Sequence, residues 1–489
     1  MNGIAPIAGT TPDARGGVAL AWLLAVGLVL RSIGLDSDLW HDELFTWLDL
    51  VKLPLLDLWS TYPDDNQHLV YSLAARVCVL AFGESPAVLR LPAVAFGVAS
   101  LWATWRLGVQ TVSRRHALFA TALLTFSYHH VWFSQDARGY TALLLATVLS
   151  TDLLLRALRT DRTRTWVLYA AVLAFGMGAH LTMIFVALAQ GLVVIAYVAS
   201  RETRRLGVHA IAALLLGGLL TLLLHAPLLG EMIDFYLQPS AGATTAQVAW
   251  KSPLWLANEA IRSFGVPLAL GWAAAAAASL PLVWGLASLW RRSRSAAALF
   301  VLPALLGFAS LLLLDRNLWP RFFFNSFGFI AILAVSGIGE GFAWIRARWR
   351  APGWLPTAAL VLLVAASAVT VPRNYLLPKM DYRGARNWVK AHAAPDDAIV
   401  ALDLAGDAYA RYYAPRFATA DTLDELRAVA SEHGDTWVVY AFGDYIAARE
   451  PDLWETLLGL DEVGAFPGTL GGGALVVRRA PPGALASPR

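Results

Sequence analysis

The chain has 489 residues, 57% hydrophobic and 15% charged, with a mean hydropathy of +0.55. Soluble domains carry about 25% charged residues, so the composition excludes a soluble globular protein and indicates a membrane protein. The net charge of +3 and pI near 9.0 would suit an anionic partner. The arginines, however, cluster in short loops between apolar runs, which is a topology signal, and nucleic-acid binding finds no support. The single cysteine, Cys78, excludes internal disulfides and cysteine-based metal sites.

Runs of about 20 apolar residues can cross a bilayer. The first, Gly16 to Leu35, lacks a cleavage site and reads as a signal anchor. Further spans are predicted near 87–110, 116–133, 139–157, 165–179, 181–200, 207–227, 265–290, 296–314, 322–345 and 354–372, about eleven in all. Arg114 and Arg115, then Arg156 to Arg164, Arg201 to Arg205, Arg291 to Arg294 and Arg346 to Arg350 occupy alternate loops. By the positive-inside rule these loops are cytoplasmic, with the N-terminus inside and the C-terminus outside, as in a bacterial inner membrane protein. The apolar stretch His68 to Phe82 breaks that alternation if it crosses, so it is assigned to the first outer loop as an amphipathic or re-entrant helix. That loop, about 36–86, is rich in Asp and Glu, with Lys52 and Arg76 among its few cations. A second long outer loop covers about 228–262.

After Pro372 the apolar blocks shorten and charge rises. Asp381 to His392 reads as a helix and Asp397 to Leu402 as a strand. Asp421 to Glu432 reads as a helix with a Thr422–Glu425 capping box. Thr436 to Phe442 reads as a buried strand, and Ala474 to Arg478 as an edge strand. The expected architecture is therefore a mostly α polytopic domain over 1–372, a small extracytoplasmic α/β domain over 373–479, and a disordered tail at 480–489.

Polar residues gather at the outer ends of the predicted helices. Asp42 and Glu43 follow Trp40 just beyond the first span. A carboxylate at the water–lipid boundary can act as a general base toward a hydroxyl or amine arriving from outside. The plain alternative is a pair of solvated loop acids, or a helix cap. Asn66 and His68, with Tyr71 one turn on, suit a sugar or phosphate as well as they suit a helix N-cap. Asp136 and Arg138 lie in the short turn 134–140 and either pair with each other or supply a second acid and a phosphate ligand. His180 marks the next outer turn, where a lone histidine is more often structural. Arg316 and Arg321 lie outside against the charge rule. A guanidinium there can grip a lipid phosphate by paired hydrogen bonds, with snorkelling or an ion pair to Asp315 as the alternative. Arg383 follows the last span closely enough to reach the interface. There is no nucleotide-binding fingerprint and no Cys/His zinc pattern, so an activated donor would arrive through the membrane. No organic cofactor is called for. A divalent cation on Asp42, Glu43 and His68 stays open, because their spacing matches no strong ligand motif.

In order along the chain, these residues resemble the lipid-linked-sugar glycosyltransferases of the GT-C fold. The chain looks similar to the family of protein O-mannosyltransferases and bacterial aminoarabinose transferases. The resemblance rests on Asp42-Glu43 after the first helix, Asn66-x-His68, Gly83-Glu84-Ser85-Pro86-Ala87-Val88-Leu89-Arg90-Leu91-Pro92, the run Ser134 to Tyr140, His180-x-Thr182 and the aromatic run after Arg321. Two departures are Asp136, where many relatives have Glu, and Phe322 in place of Tyr. The resemblance implies a polyprenyl-phosphate sugar donor and an outer acceptor that is a protein, a lipid or a polysaccharide. It implies transfer with inversion, Asp42 as base, and Arg321 with Arg138 on the leaving phosphate. Glu43, His68, Asp136 and His180 would line the pocket. The rival reading is a multispan lipid or glycan transporter or flippase, which would show internal repeats and mid-membrane polar breaks instead.

Overall fold

The structure, a computed structural model, describes residues 14–237, 250–350, 352–431 and 434–485. The chain opens with α1 (Ala14–Ser32), α2 (His41–Phe45), a π-helical turn Thr46–Val51, α3 (Leu55–Ser60), α4 (Leu69–Phe82) and α5 (Pro86–Thr111). It continues through α6 (Arg114–Thr125), α7 (Tyr128–Ser134), α8 (Tyr140–Thr160), α9 (Thr163–Ala179), α10 (Met183–Ala199), α11 (Arg204–His225) and α12 (Leu229–Leu237). Later helices cover Pro253–Arg262, Leu268–Arg292, Arg294–Leu313, Phe327–Trp349 and Leu355–Thr370.

Two compact units result. The first holds the described parts of 1–35, 50–238 and 266–372, and the second those of 36–49, 239–265 and 373–489. Seven helices among the described residues are long and apolar enough to cross a membrane, and three shorter apolar helices accompany them. The fold is mostly α and polytopic.

In the first unit α5 packs on α8, α8 on α9, and α9 on α11, while Leu268–Arg292 packs on Phe327–Trp349. Charges inside this bundle are matched by partners, as the low dielectric requires. Asp152 on α8 receives Arg106 at 2.7 Å and Gln110 at 3.1 Å from α5. Arg31, fully buried at the end of α1, donates to the carbonyls of Gly27 (2.9 Å), Leu124 (3.1 Å) and Thr125 (3.4 Å). The last two lie in the final turn of α6, where carbonyls run out of helical partners; Leu124 O also accepts from the Ser127 N–H at 3.2 Å. This explains a departure from the single span expected at 116–133. The helix stops at Thr125 and restarts at Tyr128, with the Ser127 hydroxyl capping the new N-terminus. Hydropathy stays high through the break, so only the caps reveal it.

The second unit carries a five-stranded mixed sheet of order β2-β1-β3-β5-β4. Its strands are β1 (Ala398–Leu402), β2 (Ala418–Ala420), β3 (Thr436–Tyr440), β4 (Asp461–Phe466) and β5 (Leu475–Ala480). β1 runs parallel to β2 and β3, and β5 runs antiparallel to both β3 and β4. Val400, Leu402, Val438, Tyr440, Leu426 and Leu453 centre the core. The helix expected at 381–392 is Tyr382–His392, and Thr422 with Glu425 forms the expected capping box. One expectation is corrected: β5 is an interior strand, and β2 and β4 are the edges. Its arginines mimic an edge pattern, but Arg478 is sheltered by bonds to Tyr440 Oη (2.9 Å), Leu460 O (2.8 Å) and Glu462 (3.1 Å). Of the tail expected at 480–489, Ala480 ends β5 and Leu485 is buried in the sheet core, while 486–489 lie outside the described residues. Within the outer loop expected at 228–262, residues 238–249 also lie outside them.

Candidate active site

In the second unit, α2 places Asp42 and Glu43 side by side in one helical turn, and their environments differ. Glu43 is fully buried and accepts from Lys379 Nζ at 3.2 Å and from the Trp40 backbone N–H at 3.3 Å. Lys379 is itself buried, so the pair is a desolvated ion pair held by added hydrogen bonds, the arrangement that makes such a pair tolerable. Asp42 keeps 8% of its surface exposed. Its carbonyl accepts from the Thr46 hydroxyl at 3.0 Å.

The segment leading into α2 is clamped. The Tyr413 hydroxyl accepts from Leu39 N–H at 2.7 Å and donates to Leu39 O at 2.9 Å. Asp38 accepts from Arg383 Nε at 3.0 Å and from the Arg383 N–H at 2.8 Å. Burial pushes the Asp38 carboxyl up, and Arg383 opposes the shift. Arg383, predicted as a substrate ligand, is thus engaged with the segment that carries the acidic pair.

In the first unit, the loop before α4, the turn between α7 and α8 and the turn after α9 meet. Arg138, buried, donates to Asn66 Oδ1 at 2.6 Å. His68 Nδ1 donates to the Ala179 carbonyl at 2.9 Å, which fixes its tautomer and leaves Nε2 as a bare acceptor. That Nε2 is buried and has no hydrogen-bond partner among the described residues. His180 is set the other way. Its Nδ1 accepts from the Thr182 N–H at 3.1 Å, so in the neutral ring Nε2 carries the proton. The two rings lie 4.8 Å apart, and Tyr140 packs on both, at 5.5 and 5.4 Å.

Burial, then Arg138 and His180, hold His68 well below its ordinary value. Loss of hydration, with Arg138 and Arg321, lowers His180 to about 3 although the residue is only half-buried. Both rings are therefore neutral near pH 7, one offering an acceptor and the other a donor. Gly139 makes the arrangement possible. A Cβ there would run into the Ala179 carbonyl oxygen and stand 2.9 Å from His68 Nδ1.

Arg321 is the second residue of the 3₁₀ turn Pro320–Ser326, its guanidinium over the Trp319 ring at 4.9 Å, and Phe322 packs on His180 at 5.9 Å. Asp136 is fully buried beside Arg138 in the chain. Tyr71 is buried with its hydroxyl donating to Leu89 O at 2.6 Å, a bond that fastens α4 to α5. Sequence reasoning missed Lys379, which stands alone as a cation in a nearly apolar run, 336 residues from its partner. It gave no site role to Tyr140, the last residue of the 134–140 run, or to Asp65. Asp65 is exposed as a residue, yet crowding by protein and then Asp64 raise its carboxyl to about 7 against the pull of Arg138 and Arg321. Among the described residues no group of three or more His, Cys, Asp or Glu is placed to hold a metal ion.

Residues 66–230 match the family model described as dolichyl-phosphate-mannose-protein mannosyltransferase, a stretch that contains Asn66, His68, Arg138 and His180. No curated protein matches the chain in sequence. Among solved structures, the chain is similar to ArnT from Cupriavidus metallidurans in the apo state. Identity is 14%, coverage is 98% of this chain and 100% of that chain, and the TM-score is 0.53. ArnT from the same organism bound to undecaprenyl phosphate gives a TM-score of 0.51 at the same identity and coverage. The archaeal oligosaccharyltransferase AglB from Archaeoglobus fulgidus, in complex with an inhibitory peptide and a dolichol-phosphate, is 10% identical. It covers 96% of this chain and 77% of that chain, with a TM-score of 0.54. The chain is thus a polytopic membrane protein with the GT-C fold. Its 66–230 segment is similar to the mannosyltransferase family.

Proposed function

We propose that the protein is a membrane glycosyltransferase that moves a sugar from a polyprenyl-phosphate donor to an acceptor on the extracytoplasmic side. Asp42 takes a proton from the acceptor hydroxyl or amine, and the freed lone pair attacks the anomeric carbon. The bond from that carbon to the phosphate oxygen breaks as the new one forms, which inverts the configuration. The departing polyprenyl phosphate keeps the electron pair, and Arg321 with Arg138 meets its growing charge. His68 accepts from a sugar hydroxyl and His180 donates to one. Asn66 orients Arg138, and Asp136 lines the same turn.

The observation that carries this reading is the division within the acidic pair. Glu43 has its charge matched by Lys379 in a buried ion pair, which suits a supporting part, while Asp42 retains contact with solvent, which suits a base. The similarity to proteins with undecaprenyl phosphate or dolichol-phosphate bound supports the donor class. The protein belongs on this reading in a bacterial cytoplasmic membrane, N-terminus inside. On the same reading the 373–479 domain lies outside, where it would select the acceptor.

Transfer from a labelled polyprenyl-phosphate sugar tests the assignment. Asp42→Asn should lower kcat by at least about a hundredfold, the scale of general-base catalysis, while the protein still folds and binds donor. Undiminished turnover by that variant would remove Asp42 from the mechanism. Glu43→Gln should cost stability as well as rate, because it removes the charge of Glu43 from the buried ion pair with Lys379.

A further inference from the structure

A cavity of about 380 Å³ opens at the other end of the first unit's bundle, where α6 begins, helix Phe327–Trp349 ends and helix Leu355–Thr370 begins. Arg115, His116, Gly339, Arg346, Gly353 and Pro356 line it. The helix that reaches it starts one residue after the Pro320–Ser326 turn and runs 23 residues, roughly 35 Å at 1.5 Å per residue. Its residues at the cavity, Gly339 to Ala347, lie roughly 20–30 Å along the helix from Phe327, so the cavity is separate from the site above.

Its chemistry suits an anion. Among the described residues, neither Arg115 nor Arg346 is paired with a carboxylate. Arg115 donates instead to the Thr357 hydroxyl. Nearby Glu340 is engaged by Arg292. His116 Nδ1 is buried with no partner among the described residues, and its ring packs where Gly339 has no Cβ to exclude it. Beyond the cations the wall is apolar, with Ala343, Ala347 and the buried Leu360.

We propose that this pocket binds the phosphodiester headgroup of an anionic membrane lipid. Arg115 and Arg346 grip the phosphate oxygens, His116 donates from Nδ1, and the glycerol backbone rests on the alanine and leucine wall. Basic pockets between membrane helices on the arginine-rich side take such headgroups, and a cavity of this size accommodates one. A zwitterionic headgroup fits worse, because its own cation meets two guanidinium groups.

The full-length protein in detergent, titrated with phosphatidylglycerol and followed by native mass spectrometry, tests this directly. Phosphatidylglycerol should bind saturably, and phosphatidylcholine should not. Arg115→Gln and Arg346→Gln should each weaken binding roughly tenfold, the scale of one charge-assisted hydrogen bond. Arg348→Gln removes the same charge two residues away on another face of the helix and should change binding less than about twofold. Equal weakening by Arg348→Gln would overturn the pocket in favour of general charge attraction, as would unchanged binding by the other two. Gly353→Leu narrows the cavity without altering charge and should weaken binding as well, which keeps the test open if an arginine variant fails to fold. Displacement of the lipid by an equal concentration of inorganic phosphate would overturn the lipid assignment and leave a free-phosphate site.

Discussion

His130 on α7 and His68 before α4 are both buried histidines of the first unit, and the protein uses their rings differently. His130 Nδ1 accepts from Arg31 at 2.8 Å and its Nε2 donates to Ser100 at 2.9 Å, while Ser100 passes its own proton to Gly97 O at 2.7 Å. The Ser134 hydroxyl closes the circuit by accepting from Arg31 Nε at 3.1 Å and donating to His130 O at 2.6 Å. Both ring nitrogens are consumed, so this histidine anchors a buried arginine. His68 spends Nδ1 on Ala179 and leaves Nε2 without a partner. A buried polar atom left unsatisfied costs about 1–3 kcal/mol, and a fold keeps one where a ligand completes the bond. Burial and residue type are alike in the two; partner count separates anchor from binding group.

The contrast makes opposite forecasts for the two rings. His130→Ala removes one acceptor of the buried Arg31 and opens a cavity, so it should destabilise by about 3 kcal/mol, read as a lower unfolding temperature in detergent. Activity per folded molecule should hold. Gly139→Ala should cost about 1–3 kcal/mol, because its Cβ forces the Ala179 carbonyl and the His68 ring apart. It should also lower activity, as the His68 tautomer loses its lock. His68→Asn should change stability by less than about 1 kcal/mol yet lower kcat/KM for the donor roughly tenfold, the value of one substrate hydrogen bond. If His68→Asn instead destabilises as much as His130→Ala and leaves turnover intact, the comparison fails and His68 is another anchor.

How far this was readable in sequence follows from the range of the interactions. Helix positions show in the chain because about 20 apolar residues in a row have few other uses. The grouping of Asn66, His68, Arg138 and His180 at helix ends shows too, since polar residues in short turns between apolar runs stand out. Their partners do not show. Arg138 meets Asn66 across 72 residues, and which nitrogen of His68 is spent depends on a carbonyl 111 residues away. The helix break at Phe126 is hidden because both sides are apolar and the arginine that satisfies it sits on α1. β4 is hidden because Asp461 to Phe466 contains one β-branched residue, Val463, and β2 because it has only three residues. Such pieces are held by register with neighbours rather than by their own propensity.

Asp65 extends the comparison to a group that titrates. Its carboxyl is pushed up to about 7 in the folded protein, first by burial and then by Asp64. A group raised on folding contributes stability that is present below its unfolded value near 4 and lost as pH rises through the folded one. His68 and His180 are held low and act in the opposite sense, weakening the fold as pH falls below about 6.5. Parent stability alone therefore mixes two slopes, and the difference between parent and Asp65→Asn isolates one. Asn cannot titrate, so the variant should gain stability relative to the parent as pH rises from about 4 to about 7 and then level off. Because Asp65 is exposed, water screens the effect, and this should be the smallest of the four changes. A parent-to-variant difference in unfolding temperature that stays flat from pH 4 to 8 would mean that Asp65 ionises as an ordinary surface acid. The upward pull of Asp64 would then be fully offset by Arg138 and Arg321, and the loop before His68 would carry a full negative charge toward any phosphate those arginines hold.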